Sequence, residues 1–516
     1  MQGSAQGMIE GRMTMGGIRY SGGDVIRGQT TIRVAIVFTF MSVLLLLILV
    51  LVPSDRTEPS VLVLLFGLPC LTAVALKSRV KSPDYFEIIY PILLLYFLSF
   101  CFRGAVLIAN PADLHPEVNG FSAVNKALGL GLLGLISMWL GYYCLSKNPG
   151  RRISALANKL LPDEWRVDTA IVRILLLFII GISIQIVGVF AGLALSNTGV
   201  GLDPASGFFG VVGYLSTISL ILFSLFVFRR KASGGRMLLT MIVWCGMLLL
   251  QALLAFITGS RGPVLISFFF VPMICYNYTV KHINMKQLVT LVVIMLVVTL
   301  VIIMPLARPL RATRIMWFAG SLSEYLRTLR TARQESSKQT LGDTFIEFTQ
   351  RQIVLENFAI AISKTPDVIP YKNGKTFLSV ATNLIPRFIW SKRVAYDYNY
   401  EFSKEYAGWQ GTRGSTGATN IGELYMNFGI TGLVIGMFIL GLLYRSIYKN
   451  LIGTQAVGDL KILVYSCFLL GFMWIEGGLG PLIVDILIKT LTLIAVVLFL
   501  RVDVGKRKQP MQFKSP

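Results

Sequence analysis

Histidine, acidic residues and cysteine are all scarce in this chain, and each shortage closes a line of chemistry. Only two histidines occur among 516 residues, His115 and His282. They are far apart, so a histidine metal cluster is excluded. No two acidic residues have the D-x-D spacing that holds a metal-bound nucleotide sugar, and no G-x-x-x-x-G-K-[ST] run is present to cradle ATP phosphates. The six cysteines (Cys70, Cys101, Cys144, Cys245, Cys275 and Cys467) all fall within or beside apolar runs, and the longest polar segment has none. That leaves no disulfide framework and no cysteine metal site. Charged residues are only 14% of the chain against 54% hydrophobic, a balance that belongs to membrane proteins.

What is present is a series of apolar runs. A helical crossing needs about 20 apolar residues. Runs approaching this length lie near residues 34–52, 60–76, 88–102, 123–145, 170–195, 208–228, 237–257, 263–280, 287–307, 421–444, 462–476 and 481–500. Each is continuously apolar rather than alternating with period two, which favours helices over a barrel. The fold expected is all-α, a polytopic membrane protein of about 12 transmembrane helices. Its segments would be an N-terminus at 1–32, spans at 33–307, a loop domain at 308–420, closing spans at 421–500 and a tail at 501–516. Residues 1–32 are glycine-rich, flexible and polar, with no apolar core like that of a signal peptide. The string IEGR at 9–12 resembles a protease-recognition scar.

The net charge of +22 would suit a nucleic-acid partner, but its distribution argues against one. Lysine and arginine crowd alternate loops, as at Lys77–Lys81, Arg151–Arg152, Arg229–Lys231 and Arg445–Lys449, and the tail beyond Arg501. The intervening short loops carry only Arg56, Arg103 and Arg261. This is the positive-inside pattern, and it predicts both termini in the cytoplasm and residues 308–420 outside it.

That external segment is rich in aromatic residues and reads as folded. Residues 343–363 have helical spacing, with Phe345, Phe348, Leu355, Ala359 and Ile362 on one face, and Lys372-Asn373-Gly374-Lys375 reads as a turn. Three clusters carry candidate chemistry. In TGSRGPVL at 258–265, Arg261 occupies a tight external turn between two spans, where a charge is costly and usually functional. In RPLRATR at 308–314, Arg308, Arg311 and Arg314 would share one helical face, and their guanidinium forks match phosphate oxygens. The stretch from Arg387 to Glu423 holds Arg393, Asp397, Glu401, Glu405 and Arg413, with carboxylates able to accept a proton from a sugar hydroxyl. Each cluster has a plainer reading, respectively interface snorkelling, lipid-headgroup attraction and internal salt bridging. Late in the chain, Glu476 has no local partner and could pair with an external arginine, whereas Asp485 and Lys489 are i,i+4 neighbours able to neutralise each other.

GSRG at 259–262, IPRFIWSKR at 385–393 and IGELYMNFGITG at 421–432, in this order, resemble the Wzy-type O-antigen and oligosaccharide repeat-unit polymerases. The resemblance implies a GT-C-like, metal-independent, inverting glycosyltransferase without cofactor. It implies a bacterial inner-membrane location with a periplasmic active site. The substrates would be saccharides on undecaprenyl diphosphate, with membrane lipids around the protein and a chain-length regulator and a flippase as partners. Arginines would then stabilise the departing diphosphate: Arg261, Arg308, Arg311, Arg314, Arg387, Arg393 and Arg413, supported by Arg103, Glu476 and Tyr425. The large loop lacks histidine, a departure from the related O-antigen ligases, so a carboxylate base is expected, Glu423 first, then Glu405 and Asp397. A ligase or a flippase of lipid-linked saccharide are the alternatives. A flippase would concentrate its charges in a central cavity rather than in one external loop.

Overall fold

The computed structural model of the chain describes residues 83–144, 160–162, 165–190, 204–234, 237–257, 262–305, 340–350, 353–378, 398–408, 416–453 and 457–501, with isolated positions between 62 and 77, between 323 and 334, and at 380 and 382. All regular structure among them is helical. Helices α1 (Ile89–Ala109), α2 (Gly120–Cys144), α3 (Ile171–Phe190), α4 (Pro204–Ala232), α5 (Leu238–Ile257), α6 (Gly262–Thr279) and α7 (Met285–Ile303) come first. After them come the short helices α8 (Leu341–Gln350), α9 (Val354–Lys364) and α10 (Tyr398–Glu405), and then α11 (Thr419–Leu451), α12 (Asp459–Phe472) and α13 (Leu479–Arg501).

Nine of the described helices are long and apolar enough to cross a membrane: α1 to α7, α11 and α13. Of the other three expected spans, 34–52 lies outside the described residues and 60–76 is described only at isolated positions. The third, near 462–476, is α12, a helix of 14 residues, which is shorter than the about 20 that a full crossing takes.

Local sequence sets several helix ends. Arg229, Arg230 and Lys231 close the last turn of α4, where cations complement the helix dipole. A capping box starts α7: Gln287 N–H donates to Asn284 Oδ1 at 2.8 Å while Asn284 N–H donates to Gln287 Oε1 at 3.2 Å. Burial then sorts the bundle. The apolar window of α2 is 72% buried and that of α7 only 11%, so α2 is central while α7 keeps Val289, Val293 and Val297 facing outward.

The centre of the bundle is the crossing of α2 with α11. A Cβ on Gly141 would lie 2.0 Å from the Phe438 carbonyl oxygen, and one on Gly441 would lie 2.0 Å from that of Met138. The two backbones therefore touch, as small residues allow between membrane helices. Gly134 meets Leu433 and Met437 further back, so the two helices run parallel.

α11 is not one continuous helix. Gly429 has φ 65° and ψ −153°, a conformation that only glycine adopts readily. It divides α11 into a short piece, residues 419–428, and a long one, residues 430–451. The long piece extends for about 33 Å at about 1.5 Å per residue, enough to cross alone a hydrocarbon core of about 30 Å.

Polar groups segregate to two ends of the bundle. At one end, Asp84 accepts from Phe86 N–H (3.0 Å), Asn277 Nδ2 (3.0 Å), and the hydroxyls of Tyr278 and Tyr448 (both 2.9 Å). Beside it, Glu87 accepts from Lys77 Nζ (2.5 Å), Tyr142 Oη (2.6 Å) and Arg445 Nη1 (2.8 Å). The opposite end carries the short helices α8, α9 and α10, the start of α11 and the turn before α13.

Candidate functional site

The site begins with the break in α11. Stopping a helix at residue 428 frees the carbonyls before it, and buried carbonyls need donors. The loop after α9 supplies them: Lys372 N–H donates to Met426 O (2.9 Å) and Asn373 N–H to Asn427 O (3.2 Å). The loop can aim successive amides inward because Asn373 (φ 49°) and Gly374 (φ 83°) both adopt the left-handed conformation. Next, Gly374 N–H donates to the Asn427 side-chain oxygen at 2.8 Å. That fixes the Asn427 amide, whose Nδ2 donates to Thr376 Oγ1 (2.7 Å) and to Glu423 O (2.8 Å).

Glu423 lies one turn before Asn427 and its side chain is 0% exposed. Its Oε2 accepts from the backbone N–H of Leu479 (2.5 Å) and Gly480 (2.9 Å), the first turn of α13. A carboxylate there is stabilised by the unpaired amides and the positive end of the helix. Oε1 is buried without a hydrogen-bond partner among the described residues. Space for this contact depends on Gly478, at φ 80°. A Cβ there would lie 2.7 Å from Glu423 Oε2 and 2.4 Å from Tyr398 Cε1. Four segments thus converge on one buried carboxylate: the 372–377 loop, the start of α10, the short piece of α11 and the start of α13. Thr419, which opens α11, is β-branched at φ 70°, a strained conformation of the kind found at functional sites.

A second layer braces these segments. Asn357 of α9 donates to Thr416 Oγ1 (2.6 Å) and Gly417 O (2.9 Å). Lys364 Nζ donates to Glu117 Oε2 (2.7 Å) and Tyr406 O (2.6 Å). That lysine hydrogen bond and its charge hold the Glu117 carboxyl below its usual range. The Tyr406 hydroxyl, bonded to Thr365 Oγ1 at 2.9 Å, is pushed up to about 12 by burial.

The residues expected to bind or react are placed unevenly. Arg261, Arg308, Arg311, Arg314, Arg387, Arg393, Arg413 and Asp397 lie outside the described residues. Glu405 is 38% exposed and paired with Lys372, part of the brace rather than of the buried site. Tyr425 is buried, with its hydroxyl donating to Thr365 O at 3.3 Å and its ring edge-on to Phe358 and Tyr371. Glu476 sits in the turn before α13 with its side chain exposed. Arg103 is committed elsewhere: Nε and Nη2 donate to Glu356 Oε1 at 2.9 and 2.5 Å, and Nη2 also donates to Asp113 O at 3.1 Å. Among the described residues no group of three His, Cys, Asp or Glu side chains could hold a metal ion.

Sequence reasoning missed Thr376, Asn427, Tyr398, Gly478 and Glu356. The spacing of Glu423 and Asn427, four apart on one face, was a usable signal for Asn427. Nothing local marks the others, because each acquires its role across a long sequence separation. The chain matches no curated protein and no solved structure. The family model described as O-antigen polysaccharide polymerase Wzy matches residues 32–508, nearly the whole chain, and the protein belongs to that family.

Proposed function

We propose that this polymerase joins undecaprenyl-diphosphate-linked repeat units outside the cytoplasm, with Glu423 as the general base. In the reaction, the bond between the donor sugar's anomeric carbon and its diphosphate breaks. A new bond forms to a hydroxyl oxygen of the acceptor repeat unit, the hydroxyl proton passes to Glu423, and undecaprenyl diphosphate departs. Inversion follows from attack opposite the leaving group.

The observation that carries this reading is the buried carboxylate at the meeting point of the loop region and the closing helices. Its Oε2 is tied to two backbone amides, which anchor the group and offset part of the cost of holding a buried carboxylate ionised, the form that a base requires. The arginines fill the complementary role: Arg261, the 308–314 group, Arg387, Arg393 and Arg413 neutralise the diphosphate as charge develops, with no metal. The orientation draws on the clustering of Arg229, Arg230, Lys231, Arg445 and Lys449 away from Glu423. On this reading the cluster is cytoplasmic, and residues 308–420 form the periplasmic loop domain.

The same two amide bonds favour a second role for Glu423, as a lock between α11 and α13. The roles separate on substitution by glutamine, whose oxygen still accepts from both amides but takes no proton. The cellular function is tested by the surface lipopolysaccharide of a deletion strain. A cap of one repeat unit is the expected result. Complete absence of the cap would indicate a ligase or flippase instead.

A further inference from the structure

Two asparagines lie on the same side of the short piece of α11 as Glu423, Asn420 one turn before it and Asn427 one turn after it. They are used in opposite ways. Asn427 commits its whole amide to the fold: Oδ1 accepts from Gly374 N–H, and Nδ2 donates to Thr376 Oγ1 and Glu423 O. Asn420 is also 0% exposed, yet neither its oxygen nor its nitrogen has a hydrogen-bond partner among the described residues. The Tyr96 hydroxyl of α1 approaches the amide, but it too is buried without a partner among those residues. Two more unpartnered acceptors border the same turn: Glu423 Oε1, and Asn357 Oδ1 of α9, whose Nδ2 donates to Gly417 O at 2.9 Å. Leaving buried polar atoms unpaired is costly, and folded proteins keep few such exceptions. An amide kept buried and uncommitted one turn from the base is suited to partners from outside the chain.

The chemistry of these atoms selects the ligand. A diphosphate is unsuited, because its oxygens would face Glu423 Oε1 and Asn357 Oδ1, both acceptors. A cation would use those oxygens but not the two N–H donors of Asn420. A sugar hydroxyl both donates and accepts, so neighbouring ring hydroxyls match the oxygen and the nitrogen of one planar amide. We propose that Asn420 is a substrate-binding residue that sets specificity: its amide holds a ring hydroxyl of the acceptor sugar beside the hydroxyl that meets Glu423 Oε1. Side chains one turn apart stand about 5–6 Å apart at Cβ, close enough for adjacent hydroxyls of one ring to reach both. Admitting the sugar requires the 416–418 segment next to Asn420 to shift. Side-chain hydrogen bonds hold that segment, from Asn357 Nδ2 to Thr416 Oγ1 at 2.6 Å and from Thr416 N–H to Ser403 Oγ at 2.7 Å. This inference rests on Glu423 acting as the base, and its test separates the two claims.

Asn420→Leu keeps the approximate volume and removes both polar atoms. Turnover of the purified full-length protein is measured on intact lipid-linked repeat units and on a set of deoxy acceptors. In these, each ring hydroxyl of the accepting sugar other than the attacking one is replaced in turn by hydrogen. The wild-type enzyme should use one deoxy acceptor about 10–100-fold less well in kcat/KM, the scale of one or two hydrogen bonds. Asn420→Leu should lose about that factor on the intact acceptor and no longer discriminate against the deoxy one, since both changes remove a single contact. Its melting temperature should equal or exceed that of wild type, because it breaks no hydrogen bond among the described residues. A merely structural asparagine would instead lower stability and leave the discrimination in place, and that result overturns the inference. Wild-type kcat/KM in the folded variant, with water satisfying the amide, overturns it too, as does equal use of every deoxy acceptor by the wild type. Should Asn420→Leu not accumulate, Asn420→Ala is read by the same loss of discrimination, and an unchanged discrimination overturns the proposal. All of these failures leave the base assignment standing, whereas near-normal turnover of Glu423→Gln sinks the base assignment and this inference with it.

Discussion

Arg103 provides a stringent test of which arginines hold substrate and which hold the fold. It is 1% exposed, and its partner Glu356 is 0% exposed on α9. The pair ties α1 to the segment that braces the site, 253 positions away in sequence. Arg103→Met leaves a fully buried carboxylate without its cation, and breaking such a pair costs about 3–5 kcal/mol. At about 1.4 kcal/mol per tenfold change in an equilibrium, that lowers the folded-to-unfolded ratio by a factor of about 10²–10⁴, a large share of a native protein's margin, so less protein should accumulate. Replacing both partners, Arg103→Met with Glu356→Leu, removes the two charges together. Similar exchanges elsewhere are neutral or stabilising. Asp113, the remaining carboxylate nearby, keeps a hydrogen bond from Gln350 Nε2 at 3.0 Å. The double variant should therefore return to wild-type levels by fluorescence gel filtration and, because Arg103 is buried against Glu356 and the Asp113 carbonyl, should make polymer. A well-folded but inactive double variant would refute this reasoning and restore Arg103 to the diphosphate site.

Gly478→Ala should disable the site without unfolding the protein. Its Cβ would intrude to 2.7 Å from Glu423 Oε2, whereas Gly234 has a similar φ of 73° and nothing within 4 Å. Both substitutions incur the left-handed backbone penalty of about 1–2 kcal/mol. Only Gly478→Ala should lower turnover per folded molecule, by about tenfold or more for a displaced carboxylate, and equal activity of the two variants would contradict the geometry. For topology, a cysteine replacing Ser337 should react with a membrane-impermeant thiol reagent in outer-permeabilised cells, and one replacing Ser233, in the turn after α4, should not. The reverse pattern would invert the orientation.

Much of the fold was legible because a membrane helix announces itself locally: about 20 apolar residues in a row have few other uses. The Asn373-Gly374 turn was legible for the same kind of reason, and both residues take the left-handed conformation that such a turn uses. Residues 343–363 were expected as one helix and form two, α8 and α9, with Leu355 and Ala359 buried as the spacing implied. The break at Gly429 was not legible, since glycine occurs often in unbroken membrane helices and only the docking of the 372–374 amides makes it a break. That break divides the tenth apolar run, because Glu423 belongs to the short piece of α11 before Gly429 rather than to the long one after it. Arg103 stood out in sequence as an isolated charge, but its partner could not be read from spacing because α9 reaches it only in the folded chain. The carboxylate favoured from sequence is the one the fold buries, and Glu405 is the one it leaves in a surface ion pair.

The central claim is that Glu423 accepts the proton of the attacking hydroxyl, and Glu423→Gln tests it most directly. Glutamine preserves shape and can still accept from Leu479 and Gly480 N–H, so the α11–α13 connection and the protein level should survive. Turnover of lipid-linked repeat units by the purified variant should fall by about 10²–10⁴, the usual contribution of general-base assistance, with KM little changed. Turnover within a few-fold of wild type in a normally folded Glu423→Gln protein would contradict the account and leave this carboxylate as a structural lock alone.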